Sequence, residues 1–267
     1  MPCGMKRFAG GTLSRAADAL GVFDVAVAAA QNRRDHMEDF AHVERAFLDR
    51  PDGLYVGVFD GHGGASVARQ AAKVLHQILA VEMTSDPPEA ALPRAFRAFD
   101  ETVAAEPSGA VAVVAVVLGP SLAVANAGDS HAIIVSPSRT GRLTTDHRLT
   151  NEAEFQRVVA AGARVWGPYA CLPDGTGLMC TRSLGDRAYR GIGIIPEPEV
   201  RTRILAAEEE WIIAATDGVW DGMEPAAVGH LARTASTAKE AAEAIRDAAV
   251  EASGDNVTVV AVRRQAF

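Results

Sequence analysis

Apolar residues recur along this chain in two rhythms. Six short runs rich in β-branched residues are bounded by turn formers: LYVGVFD (54–60), AVAVVAVVLG (110–119), LAVANAGD (122–129), HAIIVS (131–136), WIIAATDG (211–218) and NVTVVAVRR (256–264). Runs of this length and composition predict buried strands. The links LGPSLA and SPSRTGR have hairpin length, so this stretch is expected to form an antiparallel meander. The second rhythm is helical. From Ala65 to Met83, Val67, Ala71, Val74, Leu75, Ile78 and Leu79 fall three or four residues apart, with Arg69, Lys73 and Gln77 off the stripe. Two more helices are predicted over 88–105 and 237–253, the latter closing on a glycine. Strand hairpins interrupted by separate helices predict an α+β layered fold rather than a doubly wound sheet. With no repeat, low-complexity tract or linker, residues 1–267 are read as a single domain.

Charge and composition narrow the partners. The 267 residues carry a formal charge of −8, which argues against nucleic acid or an anionic membrane surface as partner. No segment approaches the ~20 apolar residues of a membrane span. Cys3, Cys171 and Cys180 are odd in number and lack CxxC spacing, which fits a reducing compartment, cytoplasm or nucleus.

The acidic residues are not scattered. Asp60, Asp129 and Asp217 each end an apolar run, Asp255 precedes one, and Glu38 and Asp39 follow the run VAVAAAQN. One such placement is ordinary turn chemistry. Repeated, it predicts that strand ends converge on one rim. Carboxylates gathered there repel one another unless divalent cations neutralise them, and all-oxygen ligands favour Mg²⁺ or Mn²⁺. Two such ions about 3.5–4 Å apart are the usual device for displacement at phosphorus. Asp60 opens DGHGG, whose glycines allow a sharp bend directly after it. His62 in that bend has the right ordinary pKa for a general acid.

Nine ordered motifs then carry a family resemblance: RDHMED (34–39), VFDGHGG (58–64), SGAVA (108–112), ANAGDSHA (125–132), LTTDHR (143–148), LMCTRSLGD (178–186), IPEPEV (195–200), ATDGVWD (215–221) and SGDNVTVV (253–260). The chain resembles the metal-dependent protein serine/threonine phosphatases of the PPM, or protein phosphatase 2C (PP2C), family. The resemblance implies a four-layer α-β-β-α sandwich of two antiparallel sheets with a metal centre at one end. It implies that Asp60 bridges two Mg²⁺ or Mn²⁺ ions, Gly61 lends a backbone carbonyl, and Glu38, Asp217 and Asp255 complete the second ion's ligands. Asp39 would hold metal-bound water. Asp129 and Asp221, with Asp217, resemble the ligands of a weaker third ion. Arg34 matches the phosphate-binding arginine, whose guanidinium fork suits two phosphoryl oxygens. The implied reaction is hydrolysis of phosphoserine and phosphothreonine in protein substrates by a water bridging the two ions, with His62 protonating the leaving oxygen. The enzyme is expected to act as a monomer, and neither Cys171 nor Cys180 is expected to be a nucleophile.

Two positions depart from the family pattern. Val111 stands where a threonine is usual, which is expected to repack a strand. His131 stands where an arginine is usual, which is expected to alter a salt bridge near Asp129. Residues 1–24 read as an N-terminal extension, and 151–176 correspond to the variable flap beside the cleft. Trp166 is expected to pack that flap onto the body, an exposed contact for a partner being the alternative. Arg182 and Asp186 are expected to organise the base of the flap. The competing function, a docking module on the same fold, would be favoured by loss of Asp60, Asp217 or Asp255, all of which are present.

Overall fold

The computed structural model describes residues 22–265. Most of the expected N-terminal extension, Cys3 included, lies outside the described residues. One sheet follows the order β12 (Glu199–Ile204), β5 (Ser121–Ala127), β4 (Gly109–Leu118), β3 (Gly53–His62), β2 (Phe40–Arg45), with the short β11 (Leu184–Gly185) also pairing with β4. The other follows β1 (Phe23–Ala30), β14 (Val257–Arg264), β13 (Trp211–Ala215), β6 (His131–Val135), β7 (Thr140–Arg142). Neighbours along both orders are antiparallel. The first sheet carries helices α1 (Ser66–Glu82) and α2 (Pro88–Thr102). The second carries α5 (Pro225–Thr234) and α6 (Ala238–Ala252), preceded by the one-turn α4 (Asp217–Trp220). A small flap holds α3 (Glu152–Ala160) and the sheet β10 (Gly177–Leu178), β9 (Tyr169–Cys171), β8 (Arg164–Trp166).

The central strands read as continuous apolar runs because both of their faces are covered. On β3, Tyr55 and Phe59 point toward α1 and α2, while Leu54, Val56 and Val58 point into the space between the sheets. From the opposite sheet, Ile212, Ala214, Val260 and Val262 fill that same space, whereas Trp211, Ile213, Val257 and Val259 pack under α5 and α6. The expected α-β-β-α sandwich is therefore the observed architecture. Phe59 is fully buried in it, and truncation to alanine would cost about 3–5 kcal/mol.

The expected meander is broken at one place. β5 pairs with β4, but β6 lies in the other sheet. The chain changes sheets at Gly128, whose φ of +116° and whose missing Cβ, 2.5 Å from Val111 Cγ atoms if present, both require glycine. That crossing leaves Asp129 at the rim between the sheets. No described helix is long and apolar enough to cross a membrane.

Candidate active site

β3 runs two residues past the apolar segment that predicts it: Gly61 pairs with Ala110 and His62 with Gly109. The bend expected directly after Asp60 falls instead at Gly63 and Gly64, with φ of +65° and +124°. The alternation that turns Val56 and Val58 between the sheets turns Asp60 and His62 into the same gap, beyond the end of the core. Gly61 faces the other way, where a Cβ would lie 2.5 Å from the Glu38 carbonyl oxygen and 3.2 Å from Ala68 Cβ. Only glycine lets these two segments approach so closely.

Other chain ends supply further carboxylates to one cleft of about 450 Å³. Glu38 comes from the loop between β1 and β2, Asp129 from the sheet crossing, Asp217 from the first residue of α4, and Asp255 from the turn before β14. Asn256 fixes the first of these loops. Its side-chain amide donates to Gln31 O at 2.8 Å and His36 O at 3.0 Å, while its oxygen accepts from the Glu38 N–H at 2.8 Å. Gly218 packs against the Asn256 backbone, where any side chain would collide. Glu38, Asp217 and Asp255 are thus held by mutually dependent backbone contacts.

Burial, followed by the charges of Asp39 and Asp129, holds the Asp60 carboxyl well above the usual range. Burial and then Asp60 do the same to Asp217. Asp39, behind them, is pushed up to about 7, mainly by burial, although Thr216 donates to it at 2.9 Å. Crowded carboxylates with these shifts bind either protons or cations. Two arginines supply cationic charge. Arg34, itself 60% exposed, reaches Asp255 at 2.6 Å. Arg148 contacts Asp129 at 2.5 Å, Asp217 at 3.1 Å and Asp221 at 2.9 Å, the trio that the resemblance assigns to a third ion.

His62 Nε2 pairs with Asp186 Oδ2 at 2.7 Å. Burial pulls the His62 pKa down, but the hydrogen bond and charge of Asp186 more than offset it, so the net shift is upward. Asp186 therefore favours the charged form of the ring, whose Nδ1 it does not engage. Cys180 also borders the cleft, and burial pushes its thiol well above the ordinary value, which leaves it un-nucleophilic.

All ten sequence-derived residues lie in this region, although Asp39 lies behind the cleft and Asp221, half exposed, at its edge. Sequence reasoning did not single out Arg148 or Asn256, and it gave Asp186 only a loop role. Each sits inside a quoted motif, but nothing in the spacing tells of the partner. His131 does not pair with Asp129: its Nδ1 lies 2.9 Å from Asp146, and its ring stacks on Trp220 with centroids 4.0 Å apart. Arg148 has taken Asp129 instead. Trp166 is 77% exposed, so the expected packing of that side chain onto the body does not occur. The hairpin between Trp166 and Tyr169 is tight, and it points the indole away from the apolar cluster of Val158, Ala170, Ile192 and Ile194.

The Protein phosphatase 2C (PP2C) family profile matches residues 23–257. The chain is 32% identical over 254 residues to "Probable protein phosphatase 2C 45" of Oryza sativa subsp. japonica, covering 91% of this chain and 88% of that protein. It is 34% identical over 229 residues to "Protein phosphatase 2C 56" of Arabidopsis thaliana, covering 75% of this chain and 52% of that protein. The chain thus spans about half the length of the Arabidopsis relative. Among solved structures, a serine-threonine phosphatase 2C from Toxoplasma gondii superposes with a TM-score of 0.80 at 23% identity, covering 91% of this chain and 95% of that one. The profile match, the identity to the Oryza relative and the fold shared with the Toxoplasma structure agree, and the chain belongs to the protein phosphatase 2C family.

Proposed function

We propose that this chain is a metal-dependent phosphatase of phosphoserine and phosphothreonine in proteins. The observation that carries the reading is the placement of Arg34, His62 and the carboxylates of Glu38, Asp60, Asp217 and Asp255 around one cleft. The donor set fits hard divalent cations: it is all oxygen, partly buried, and burial and mutual repulsion hold the Asp60 and Asp217 carboxyls above their ordinary range. Asp60 and the Gly61 carbonyl would hold one ion; Asp60, Glu38, Asp217 and Asp255 would hold the other, with Asp39 orienting the water around them. Mg²⁺ or Mn²⁺ bound there supplies the charge that activates water and offsets the phosphoryl oxygens.

The remaining work falls to side chains of this chain. Arg34 extends over the cleft and orients the phosphoryl group through two N–H donors. His62 gives its proton to the departing serine or threonine oxygen, and Asp186 favours the charged ring and aims it. Arg148 occupies the position between Asp129, Asp217 and Asp221, so a third ion must compete with its guanidinium. Hydrolysis of a phosphothreonine peptide with Mn²⁺, with EDTA and by Asp60→Asn tests the reading. Turnover is expected only for the wild type with Mn²⁺. Turnover in EDTA, an Asp60→Asn variant as active as wild type, or an inactive but folded and metal-loaded wild type would overturn it.

A further inference from the structure

A second group of potential ligands lies away from the cleft, between β2 and α1. His42 and Glu44 sit two residues apart on β2, so they share a face, and their partners across the ladder are Gly57 and Tyr55 of β3. Tyr55 belongs to the core beneath α1, which identifies this as the helix-covered face. Gly57 leaves room there, since a Cβ would lie 2.8 Å from the Tyr55 hydroxyl. Helix α1 brings His76 onto the same spot, its ring stacked on His42 with centroids 4.0 Å and planes 20° apart.

The polar atoms of this group are poorly satisfied. His42 Nε2 and Glu44 Oε2 are 3.5 Å apart, beyond a good hydrogen bond. His42 Nε2, His76 Nδ1 and the Tyr55 hydroxyl are all shielded from solvent without a hydrogen-bond partner. Buried polar atoms are normally paired, so three orphans together call for an occupant. One ligand atom from each of His42, Glu44 and His76 falls within 4.8 Å of the others.

We propose that His42, Glu44 and His76 bind a zinc-class transition-metal ion, at a site distinct from the oxygen-lined cleft. Two imidazoles and one carboxylate are a familiar tetrahedral zinc donor set with a fourth position for water. A tetrahedral ion wants its ligand atoms about 3.3 Å apart. The His42–Glu44 separation is already near that, whereas the nearly parallel rings must turn out of their stack for both imidazole lone pairs to meet at one ion. Nitrogen ligands select against Mg²⁺, which separates this site chemically from the catalytic one. The ion would clamp β2, an edge strand of its sheet, to α1.

Zinc titration of the whole chain by calorimetry in excess Mg²⁺ tests the proposal, with thermal melts alongside. One Zn²⁺ equivalent is expected in wild type and in Asp60→Asn, accompanied by a rise in Tm. His42→Ala and His76→Ala are expected to weaken it about 100-fold or more and to abolish that rise. His76→Gln keeps the packing should the alanine variants misfold, and it is expected to lose the equivalent as well. No Zn²⁺ equivalent in wild type, one that disappears in Asp60→Asn, or one retained by His76→Gln would overturn the proposal. Because the readout is binding, it is independent of whether the cleft hydrolyses phosphate.

Discussion

The 2.7 Å pair between His62 Nε2 and Asp186 Oδ2 joins the end of β3 to the turn that follows β11. Asp186 is fixed in turn by Ser183, whose hydroxyl donates at 2.6 Å, and Gly109 leaves the space that any side chain would take from both partners. If His62 is the acid, its loss must hurt poor leaving groups most. His62→Ala is expected to lower phosphoserine peptide turnover by about 10²–10⁴-fold, with a far smaller loss on an activated aryl phosphate. Asp186→Asn is expected to show the same asymmetry with a smaller loss. The ratio of kcat on the two substrates is the measurement, and equal losses on both would remove the acid role.

Arg148 is a guanidinium where the family resemblance places an ion. Removing it leaves buried Asp129 facing Asp217 and Asp221 without their counter-charge. Arg148→Ala is therefore expected to destabilise the metal-free protein by about 3 kcal/mol, or roughly 6–10 °C in Tm. Millimolar Mg²⁺ or Mn²⁺ is expected to recover more of that loss than it adds to wild type, because the vacated trio then takes a cation. Melts with and without Mg²⁺ decide this, and an equal metal effect on both proteins would count against competition.

The strands legible in sequence are those covered on both faces. β3, β4, β13 and β14 announce themselves as apolar runs, as the two-sided burial requires. β2 and β12 do not, because they are the edges of their sheet. Their sequences FAHVER and EVRTRI mix charge with apolar residues, which is how edges avoid pairing with other chains. The site divides similarly. Carboxylates at strand ends are visible as a repeated local pattern, whereas Arg148 with Asp217, His62 with Asp186, and Asn256 with Gln31 are pairings across 69, 124 and 225 residues. No local pattern encodes contacts of that range; strand pairing brings them about, with β11 and β3 both meeting β4 at Gly109 and β1 meeting β14 at Ala30 and Val257.

Trp166 faces solvent at the tip of the flap hairpin, opposite Tyr169. Packing onto the body would make its removal costly; exposure makes it cheap. Trp166→Ala is expected to change stability by no more than about 0.5 kcal/mol and to leave hydrolysis of a small aryl phosphate unchanged. Tm and aryl phosphatase assays check both, and a loss of several degrees would restore the packing role expected from sequence.

Glu154 at the base of the flap is 1% exposed. Its carboxylate accepts from Arg157 at 2.6 Å, Arg182 at 2.7 Å and Thr181 at 2.6 Å. Burial works to raise its pKa, but these partners overcome that and hold it below the ordinary glutamate range. A depressed folded pKa contributes stability above the unfolded value near ~4.3 and loses it as pH falls toward the folded one. Glu154→Gln is thus expected to cost about 3 kcal/mol at pH 7, since it leaves two half-buried arginines without their anion. The gap between variant and wild type is expected to narrow as pH drops below ~4. Urea melts of both proteins at pH 7 and pH 3 measure it; a gap that does not change with pH would mean that packing, and not the carboxylate charge, holds α3 to the base of the flap.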